Sequence, residues 1–389
     1  MIYAARFICG FASAGTLIVT PIYVNESTRD DIRSLLCGLS GLFINVGVII
    51  VFILGGYTPY YLLNTICLSF SLIFVLFYVW LPESPVYLLS QNKTKEAAES
   101  LMKLRGGSKD EIQKEISRLH KVITETQAKS KMSLRTLIRD FESRYALFIV
   151  MGIMAIQQLC GIAYFVGYTV SILKEAGSSL SPNLAAILTS IMQLCGSAVG
   201  AYLVDRLGRK FLLMTSTTIM ALSLSLLSGF VLFGHSYPGD LIVDLGYLPT
   251  IILMTYIASY AIGYGTVPFV LIPELFRPEA RGVAGAVGGT FVSALAFIVI
   301  KFFPIINEEI SLAGTCAIFA TFSALGSIFI YFLLFETKGK TLEEILWVLK
   351  SKGQYSVVGK RKGMFTENIE LENARQQKEE KPVLTGGQA

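Results

Sequence analysis

The sequence predicts an all-α polytopic membrane protein. Of its 389 residues, 53% are hydrophobic and only 16% are charged, whereas about 25% of residues in a soluble domain are charged. The mean hydropathy is +0.59. A bilayer-spanning helix needs roughly 20 mostly apolar residues, and nine apolar runs approach or exceed that length. They are Ile2–Val24, Leu35–Leu54, Tyr61–Leu81, Tyr145–Leu173, Leu184–Val204, Phe211–Phe233, Tyr247–Ile272, Val283–Phe303 and Ala313–Phe335.

The distribution of lysine and arginine predicts the orientation of these spans. Basic connections alternate with connections that carry little or no positive charge; the basic ones include the segment 83–144, "DRLGRK", "RPEARG" and the tail from Lys338. Positively charged loops stay on the cytoplasmic side of a membrane. We therefore expect a multi-pass protein of the cell membrane with a cytoplasmic C-terminus. This topology places Met1 outside and directly at a span, so we expect the chain to lack earlier spans.

Several function classes have no support in the sequence. There is no phosphate-binding loop and no dinucleotide-binding fingerprint, and the six cysteines fall inside the apolar runs without CxxC spacing. The two histidines, His120 and His235, are far apart in predicted loops. We therefore expect no cofactor, no metal site and no enzymatic activity. The net charge of +5 comes from the basic loops and does not indicate a nucleic-acid partner.

A charge pattern repeats in the two halves of the chain. Glu26 precedes Arg33 by seven residues, and Glu274 precedes Arg281 by seven residues. Another acid follows each arginine after two more spans: Glu83 in "PESP" and Glu336 in "ETKGKT". Repeated halves of this kind are typical of secondary transporters, whose two bundles move around a site near the bilayer midplane.

The repeat predicts the domain organisation. Residues 145–336 contain six spans, whereas residues 1–82 contain three, so the absent spans are expected to be the first three of twelve. Residues 83–144 form a linker and residues 337–389 a tail. Apolar residues recur at helical spacing in the linker, which predicts amphipathic helices there; they are Ala97, Leu101, Leu104, Ile112, Ile116, Leu119 and Ile123. The tail beyond Lys350 is polar and predicted to be disordered.

Seven motifs resemble the sugar porter family of the major facilitator superfamily, in the order and spacing of that family up to about Leu349. They are "ARFICGFASAG", "PIYVNES", "PESPVYLL", "QQLCGI", "DRLGRK", "PELFRPEARG" and "ETKGKTLEEI". "PESP…LRG" and "ETKGKTLEEI" are most similar to the insect branch that includes trehalose transporters. The resemblance implies two helical bundles bridged by cytoplasmic helices. It also implies facilitative transport of a sugar or polyol by alternating access, in a monomer without a cofactor. No acid lies inside the nine predicted spans, so we expect uniport.

The resemblance further implies a gate of charged residues at the cytoplasmic helix ends. In such a gate Asp205 meets Arg281, and Arg209 or Lys210 meets Glu274 and Glu336. The full set of implied gating residues is Arg6, Glu26, Arg33, Glu83, Asp205, Arg206, Arg209, Lys210, Glu274, Arg281 and Glu336. The alternative is that these charges only set the topology. The presence of acids beside the bases disfavours it, because the positive-inside rule needs no acids.

The adjacent amides of Gln157 and Gln158 lie near the middle of their predicted span. In the family this pair hydrogen-bonds sugar hydroxyls. An alternative is that one glutamine faces the cavity and the other bonds a neighbouring helix, since adjacent residues lie about 100° apart on a helix. The full set of candidate substrate contacts is Gln157, Gln158, Gln193, Tyr168, Phe269 and Asn45.

Other sugar contacts of the family are replaced by smaller or apolar residues. The residues that stand at these positions in this chain are Gly41, Ala163, Phe269, Ser293 and Ala296. A site that has lost hydroxyl-binding partners loses affinity for the corresponding ligand, so we expect a solute that is larger, flatter or less polar than a hexose. The eroded site also leaves a second hypothesis open, a membrane protein that does not transport. It would be a nutrient sensor or a truncated isoform.

Overall fold

The computed structural model describes residues 1–28, 32–106, 108–128, 134–236 and 245–355, and the regular structure in these ranges is helical. The first half contains α1 (Ile2–Ser27), α2 (Arg33–Tyr57) and α3 (Tyr60–Tyr78). The linker contains α4 (Pro85–Ser90), α5 (Thr94–Arg105) and α6 (Lys109–Ala128). The second half contains α7 (Leu134–Arg139), α8 (Phe141–Leu159), α9 (Ile162–Gly167), α10 (Thr169–Glu175), α11 (Pro182–Leu207), α12 (Arg209–Ser236), α13 (Leu248–Ile262), α14 (Val267–Leu275), α15 (Pro278–Leu333) and α16 (Leu342–Tyr355).

The predicted spans correspond to these helices, but some boundaries differ. Six helices within the described ranges are long and apolar enough to cross a membrane, and Gly41–Tyr57 is a shorter apolar helix. The last two predicted spans form one kinked element, α15, whose φ and ψ at Ser311 are 66° and 166°. The predicted span 145–173 is divided into α8, α9 and α10, and its first break lies at Gly161, where φ is +90°.

The hydrophobic core lies in the second half. Its largest fully buried side chains include Phe165, Tyr256, Tyr264 and Phe319, which come from different helices. In the first half, by contrast, α3 has no buried residue. The two halves meet where α2 packs along α11. The second half therefore contains most of the buried core, and α2 connects the first half to it.

The linker helices form a small bundle with its own core, which confirms the predicted amphipathic pattern. Leu88, Leu89, Ala97, Leu101, Ile112 and Ile116 are buried together. The side chain of Ile123 lies outside the described residues. We call α4–α6 the linker bundle. Its substantial contacts with other described helices are with α1, whereas α7 and α16 pack against α8. The linker bundle therefore packs on the first half, while α7, which lies within the predicted linker 83–144, packs on α8 of the second half.

The tail begins with a helix that the sequence analysis missed. The disordered tail was predicted to start beyond Lys350, but α16 continues to Tyr355. Ile345 and Leu349 of α16 are buried in the core of the second half. The rest of the tail, residues 356–389, lies outside the described residues.

Candidate gate and midplane site

The turn between α11 and α12 requires glycine at position 208. Gly208 has a φ of +92°, a conformation that residues with a side chain rarely adopt. A Cβ atom at this position would also lie 2.6 Å from Oε2 of Glu336. Gly208 thus permits both the tight turn of "DRLGRK" and the close approach of an acid that follows the last span.

Glu336 caps the N-terminus of α12. Its Oε1 accepts a hydrogen bond from the main-chain N–H of Arg209 at 2.8 Å, and its Oε2 accepts one from the N–H of Lys210 at 3.1 Å. The first N–H groups of a helix lack partners within the helix, and a negative charge is stabilised there. This contact between Glu336 and residues 209–210 was expected from the resemblance, although the bonds come from the main chain and not from the basic side chains.

The Arg209 guanidinium connects three helix ends. It contacts Oε1 of Glu274 through Nε at 3.0 Å and Nη2 at 2.8 Å, and Nη2 lies 3.1 Å from Oδ1 of Asp205. Nη1 donates to the carbonyl of Val204. The hydroxyl of Thr337 donates to the other oxygen of Glu274 at 2.7 Å. The expected pairing of Arg209 with Glu274 is present. We call Asp205, Arg209, Glu274 and Glu336 the gate cluster.

The implied contact between Asp205 and Arg281 is absent. Asp205 pairs with Arg209 and is 78% exposed, whereas Nε of Arg281 donates to the carbonyl of Phe276 at 3.1 Å. That carbonyl lies just past the end of α14, where main-chain acceptors lack helical partners. Arg281 therefore binds a main-chain acceptor close to it in the chain instead of reaching across to Asp205.

The other two basic residues of the turn bind main-chain or aromatic groups instead of acids. Nζ of Lys210 donates to the carbonyl of Tyr331 at 2.8 Å, which corrects the expectation of an acidic partner for this side chain. Cζ of Arg206 lies 4.3 Å from the centroid of the Tyr202 ring, a cation–π distance. The carbonyl of Arg206 accepts a hydrogen bond from Nζ of Lys338. The contacts of Lys210 and Lys338 tie the turn to the end of α15 and to the segment after it.

The first half uses a residue that the sequence analysis did not single out. Arg105, at the end of α5, donates to three consecutive carbonyls at the end of α1, those of Glu26, Ser27 and Thr28, at 2.8–3.2 Å. Its Nη1 also lies 3.0 Å from Oε1 of Glu115 in α6. The available signal was the "LRG" that ends an amphipathic helix, a position where an arginine can reach free carbonyls.

The implied gating residues of the first half are only partly brought together. The carboxylate of Glu26 accepts a hydrogen bond from the hydroxyl of Ser84. The carbonyl of Glu83 accepts one from Ser100, while its side chain is exposed. Arg6 is also exposed on α1. The side chain of Arg33 lies outside the described residues.

Gln157 bonds the backbone where a neighbouring span is broken. Its Nε2 donates to the carbonyl of Tyr264 at 2.8 Å, and its side chain is buried. Tyr264 lies between α13 and α14, a break at which carbonyls lose their helical partners. Because a carbonyl can only accept, this bond fixes the amide orientation and leaves Oε1 as the free atom of Gln157. The phenol of Tyr260 lies beside this side chain.

Three buried polar atoms of this region make no hydrogen bond in the structure. They are Oε1 of Gln157, Oε1 of Gln158 and the hydroxyl of Tyr264. A buried polar atom without a partner costs about 1–3 kcal/mol, and such atoms are uncommon in native proteins. The two amide oxygens can accept hydrogen bonds from a hydroxylated ligand or from water.

Two of the remaining candidate substrate contacts, Asn45 and Gln193, are linked through Ser197. Nδ2 of Asn45 donates to the hydroxyl of Ser197 at 2.9 Å, and that hydroxyl donates to the carbonyl of Gln193 at 2.9 Å. The amide nitrogen of Asn45, a predicted sugar contact, is thus engaged by the other half. Tyr168 and Phe269 are 37% and 55% exposed, and the Tyr168 ring packs on Tyr164.

The comparison with known proteins decides the family. The family model described as "Sugar (and other) transporter" matches residues 1–349. The chain belongs to this family. Its members are transporters and not enzymes, and the chain is a multi-pass membrane protein of the major facilitator superfamily.

Sequence relatives of the chain include insect transporters. The chain is 32% identical over 353 residues to a facilitated trehalose transporter of Bombyx mori, and the match covers 90% of the chain and 69% of the relative. It is 31% identical to the trehalose transporter of Apis mellifera ligustica, over 89% of the chain and 68% of the relative. These matches agree with the branch suggested by "PESP…LRG" and "ETKGKTLEEI".

Solved structures of the same fold include a bacterial sugar transporter. The inward open conformation of the xylose transporter XylE from E. coli aligns with a TM-score of 0.67 at 21% identity, over 84% of this chain and 68% of that chain. The proton:xylose symporter XylE bound to 6-bromo-6-deoxy-D-glucose aligns with a TM-score of 0.61 at 22% identity, over 85% and 70%. At these sequence identities the structural similarity establishes the fold of this chain and nothing about its solute.

Proposed function

We propose that this sugar transporter carries sugars or polyols across the cell membrane by facilitative alternating access. The observation that carries the proposal is the buried, unpartnered Oε1 of Gln157, held in place because the other end of the same amide bonds Tyr264. An oriented acceptor at the midplane suits a hydroxyl donor. It requires no buried charge in the membrane, where charges are costly.

The chemistry of binding needs only hydrogen bonds. A hydroxyl of the solute donates to Oε1 of Gln157 and a second hydroxyl donates to Oε1 of Gln158. Each such bond contributes a net free energy of about 0.5–1.5 kcal/mol. Weak binding of this kind is appropriate for a carrier, because the solute must leave on the opposite side. The proposal includes no cofactor and no metal.

The gate cluster supports the conformational part of the proposal. Exposed ion pairs are worth about 0–1 kcal/mol each, and hydrogen bonds to charged groups about 1.5–3 kcal/mol. Asp205 is exposed, whereas Arg209 and Glu274 are mostly buried. A cavity of about 320 Å³ lies beside Arg209, Glu274 and Thr337, so water can replace these bonds when the helix ends separate. Such a cluster favours one conformation without locking it.

The first candidate solute is trehalose. The insect relatives are trehalose transporters by name, and the positions where smaller or apolar residues replace the family's sugar contacts leave room for a solute larger than a hexose. We further propose uniport, a cytoplasmic C-terminus and a monomer. The basic segments 83–144 and "DRLGRK" support this orientation by the positive-inside rule.

The experiment is uptake by proteoliposomes that contain the 389-residue chain. Radiolabelled trehalose, glucose and sorbitol are offered separately, with lactate and an amino acid as solutes of other classes. Saturable uptake of a hydroxylated solute without a pH gradient supports the proposal. Binding of the same solute without any flux favours the sensor hypothesis, and neither binding nor flux of any hydroxylated solute rejects the sugar site.

A further inference from the structure

The helices α2 and α11 form the seam between the two halves, and two polar contacts cross it. Nδ2 of Asn45 lies 2.9 Å from the hydroxyl of Ser197, and Nδ2 of Asn183 lies 3.3 Å from the carbonyl of Gly56. Asn45 and Gly56 belong to α2, whereas Ser197 and Asn183 belong to α11. Asn45 precedes Gly56 in α2, whereas their partners occur in the reverse order in α11, so the two helices run antiparallel. No other pair of described helices makes a substantial contact between the halves.

The two contacts lie at different heights along α11. With a rise of 1.5 Å per residue, Ser197 lies about 15 Å and Asn183 about 36 Å from Leu207, the last residue of the helix. The gate cluster lies at this end of α11, where Asp205 precedes Leu207 and Arg209 follows it. The Asn183–Gly56 contact therefore lies at the end of the seam opposite the gate cluster, and the Asn45–Ser197 contact lies between the two ends.

The contact of Asn45 with Ser197 has a fixed donor and a fixed acceptor. The hydroxyl of Ser197 donates its proton to the carbonyl of Gln193, so its oxygen accepts from Asn45. Asn45 is 9% exposed, and water does not readily replace the bond. Rocking about the middle of the seam changes separations there less than at its ends. This hydrogen bond, which lies between the two ends, can therefore persist through the motion.

The contact of Asn183 with Gly56 depends on close approach. The carbonyl of Gly56 is one of the last four of α2, which lack partners within the helix, and Asn183 supplies a donor. A Cβ atom at position 56 would lie 3.3 Å from Cβ and Cγ of Asn183, tighter than an ordinary contact. A small separation of the helices at this end breaks the bond, whereas a larger side chain at position 56 prevents it from forming.

We infer that Asn183 and Gly56 form a latch that holds the end of the seam opposite the gate cluster closed, while Asn45 and Ser197 form its pivot. Asn183 and Asn45 are thus positioning residues for transport. The inference rests on the proposed function, because a latch and a pivot have meaning only if the halves rock.

The experiment measures the distance between spin labels on Tyr60 of the first half and Tyr247 of the second. Both side chains are exposed, at 70% and 56%, and both lie at the latch end of their helices. The labels are placed in protein with its native cysteines replaced by serine. Gly56→Leu should shift the distance distribution to longer values. The matched control is Gly55→Leu, because a Cβ at position 55 meets only Leu63 at an ordinary 3.7 Å.

A second variant tests the latch without added bulk. Asn183→Ala removes the donor, and the same shift to longer distances is expected, to a smaller extent. Equal distributions for the wild type, Gly56→Leu and Asn183→Ala would overturn the inference. The distances are measured without sugar, so this outcome differs from failure of the proposed function, which would appear as absent sugar binding and flux while the latch variants still shift the distances.

Discussion

The carboxylate of Glu336, beyond the last span, caps the helix that begins at Arg209. Oε1 of Glu336 and the main-chain N of Arg209 are 2.8 Å apart. The same arginine extends its side chain to Glu274 at the end of α14. One residue therefore links three helix ends, through its main chain on one side and through its guanidinium on the other. The acid of "ETKGKT" thus acts here as a helix cap, while Arg209 and Glu274 form an ion pair.

The first prediction concerns Gly208→Ala. The φ of 92° and ψ of 159° at Gly208 lie in a region that is essentially restricted to glycine and costs other residues about 1–3 kcal/mol, and the new Cβ would in addition displace the Glu336 carboxylate. We expect a lower unfolding temperature in detergent, measured by differential scanning fluorimetry. Gly229→Ala is the control, because a Cβ there meets nothing within 4 Å. Equal unfolding temperatures for the two variants would contradict the cap.

The second prediction separates the two acids that bind Arg209. Glu274 is 23% exposed and makes two contacts with the guanidinium, whereas Asp205 is 78% exposed. Glu274→Gln should reduce the free energy of unfolding by about 1.5–3 kcal/mol, the range of a hydrogen bond to a charged group. Asp205→Asn should cost about 0–1 kcal/mol. Denaturation of both variants gives the comparison, and a larger effect of Asp205→Asn would be inconsistent with the described geometry.

The third prediction concerns the linker bundle. Arg105→Gln removes the donors to three carbonyls of α1 and the ion pair with Glu115. We expect faster amide hydrogen exchange throughout α5 and α6, measured by mass spectrometry. Arg118→Gln is the matched control, since Arg118 is 64% exposed and lies 3.8 Å from Glu115. If both variants exchange like the wild type, Arg105 does not hold the bundle on α1.

The sequence predicted the apolar spans because a continuous hydrophobic run of this length dictates them. It also predicted the buried stripe of the linker helices, since an amphipathic repeat leaves few alternatives. The sequence predicted two separate spans, Val283–Phe303 and Ala313–Phe335, with a connection between them. In the structure the helical geometry continues on both sides of a single non-helical residue, Ser311. The burial of Ile345 and Leu349 in the core extended the helix past Lys350 against the polar composition of the tail.

The charged contacts were less predictable, and for one physical reason. The sequence suggests that opposite charges pair, but free main-chain groups at helix ends compete with side chains for the same partners. Arg281, Lys210 and Arg105 all bind carbonyls at or beyond helix ends. Residue types do not reveal which carbonyl lies within reach, so the Asp205–Arg281 pairing was wrong and Arg105 was missed.

The fourth prediction bears on the central claim, that the unpartnered amide oxygens at the midplane bind hydroxyl groups of the transported solute. Gln157→Leu and Gln158→Leu remove these acceptors while keeping most of the side-chain volume. Thr321→Val is the control, because the Thr321 hydroxyl is exposed and bonds only the Ala317 carbonyl of its own helix. Each variant leaves one solute hydroxyl buried without its acceptor, which costs about 1–3 kcal/mol, or roughly 5- to 150-fold in the transport rate at low solute concentration.

The most direct measurement is counterflow of labelled trehalose into proteoliposomes preloaded with unlabelled trehalose. We predict that Gln157→Leu and Gln158→Leu reduce the initial rate by that factor, while Thr321→Val stays within about twofold of the wild type, since surface changes cost little. Wild-type counterflow that persists unchanged in both glutamine variants would contradict the claim.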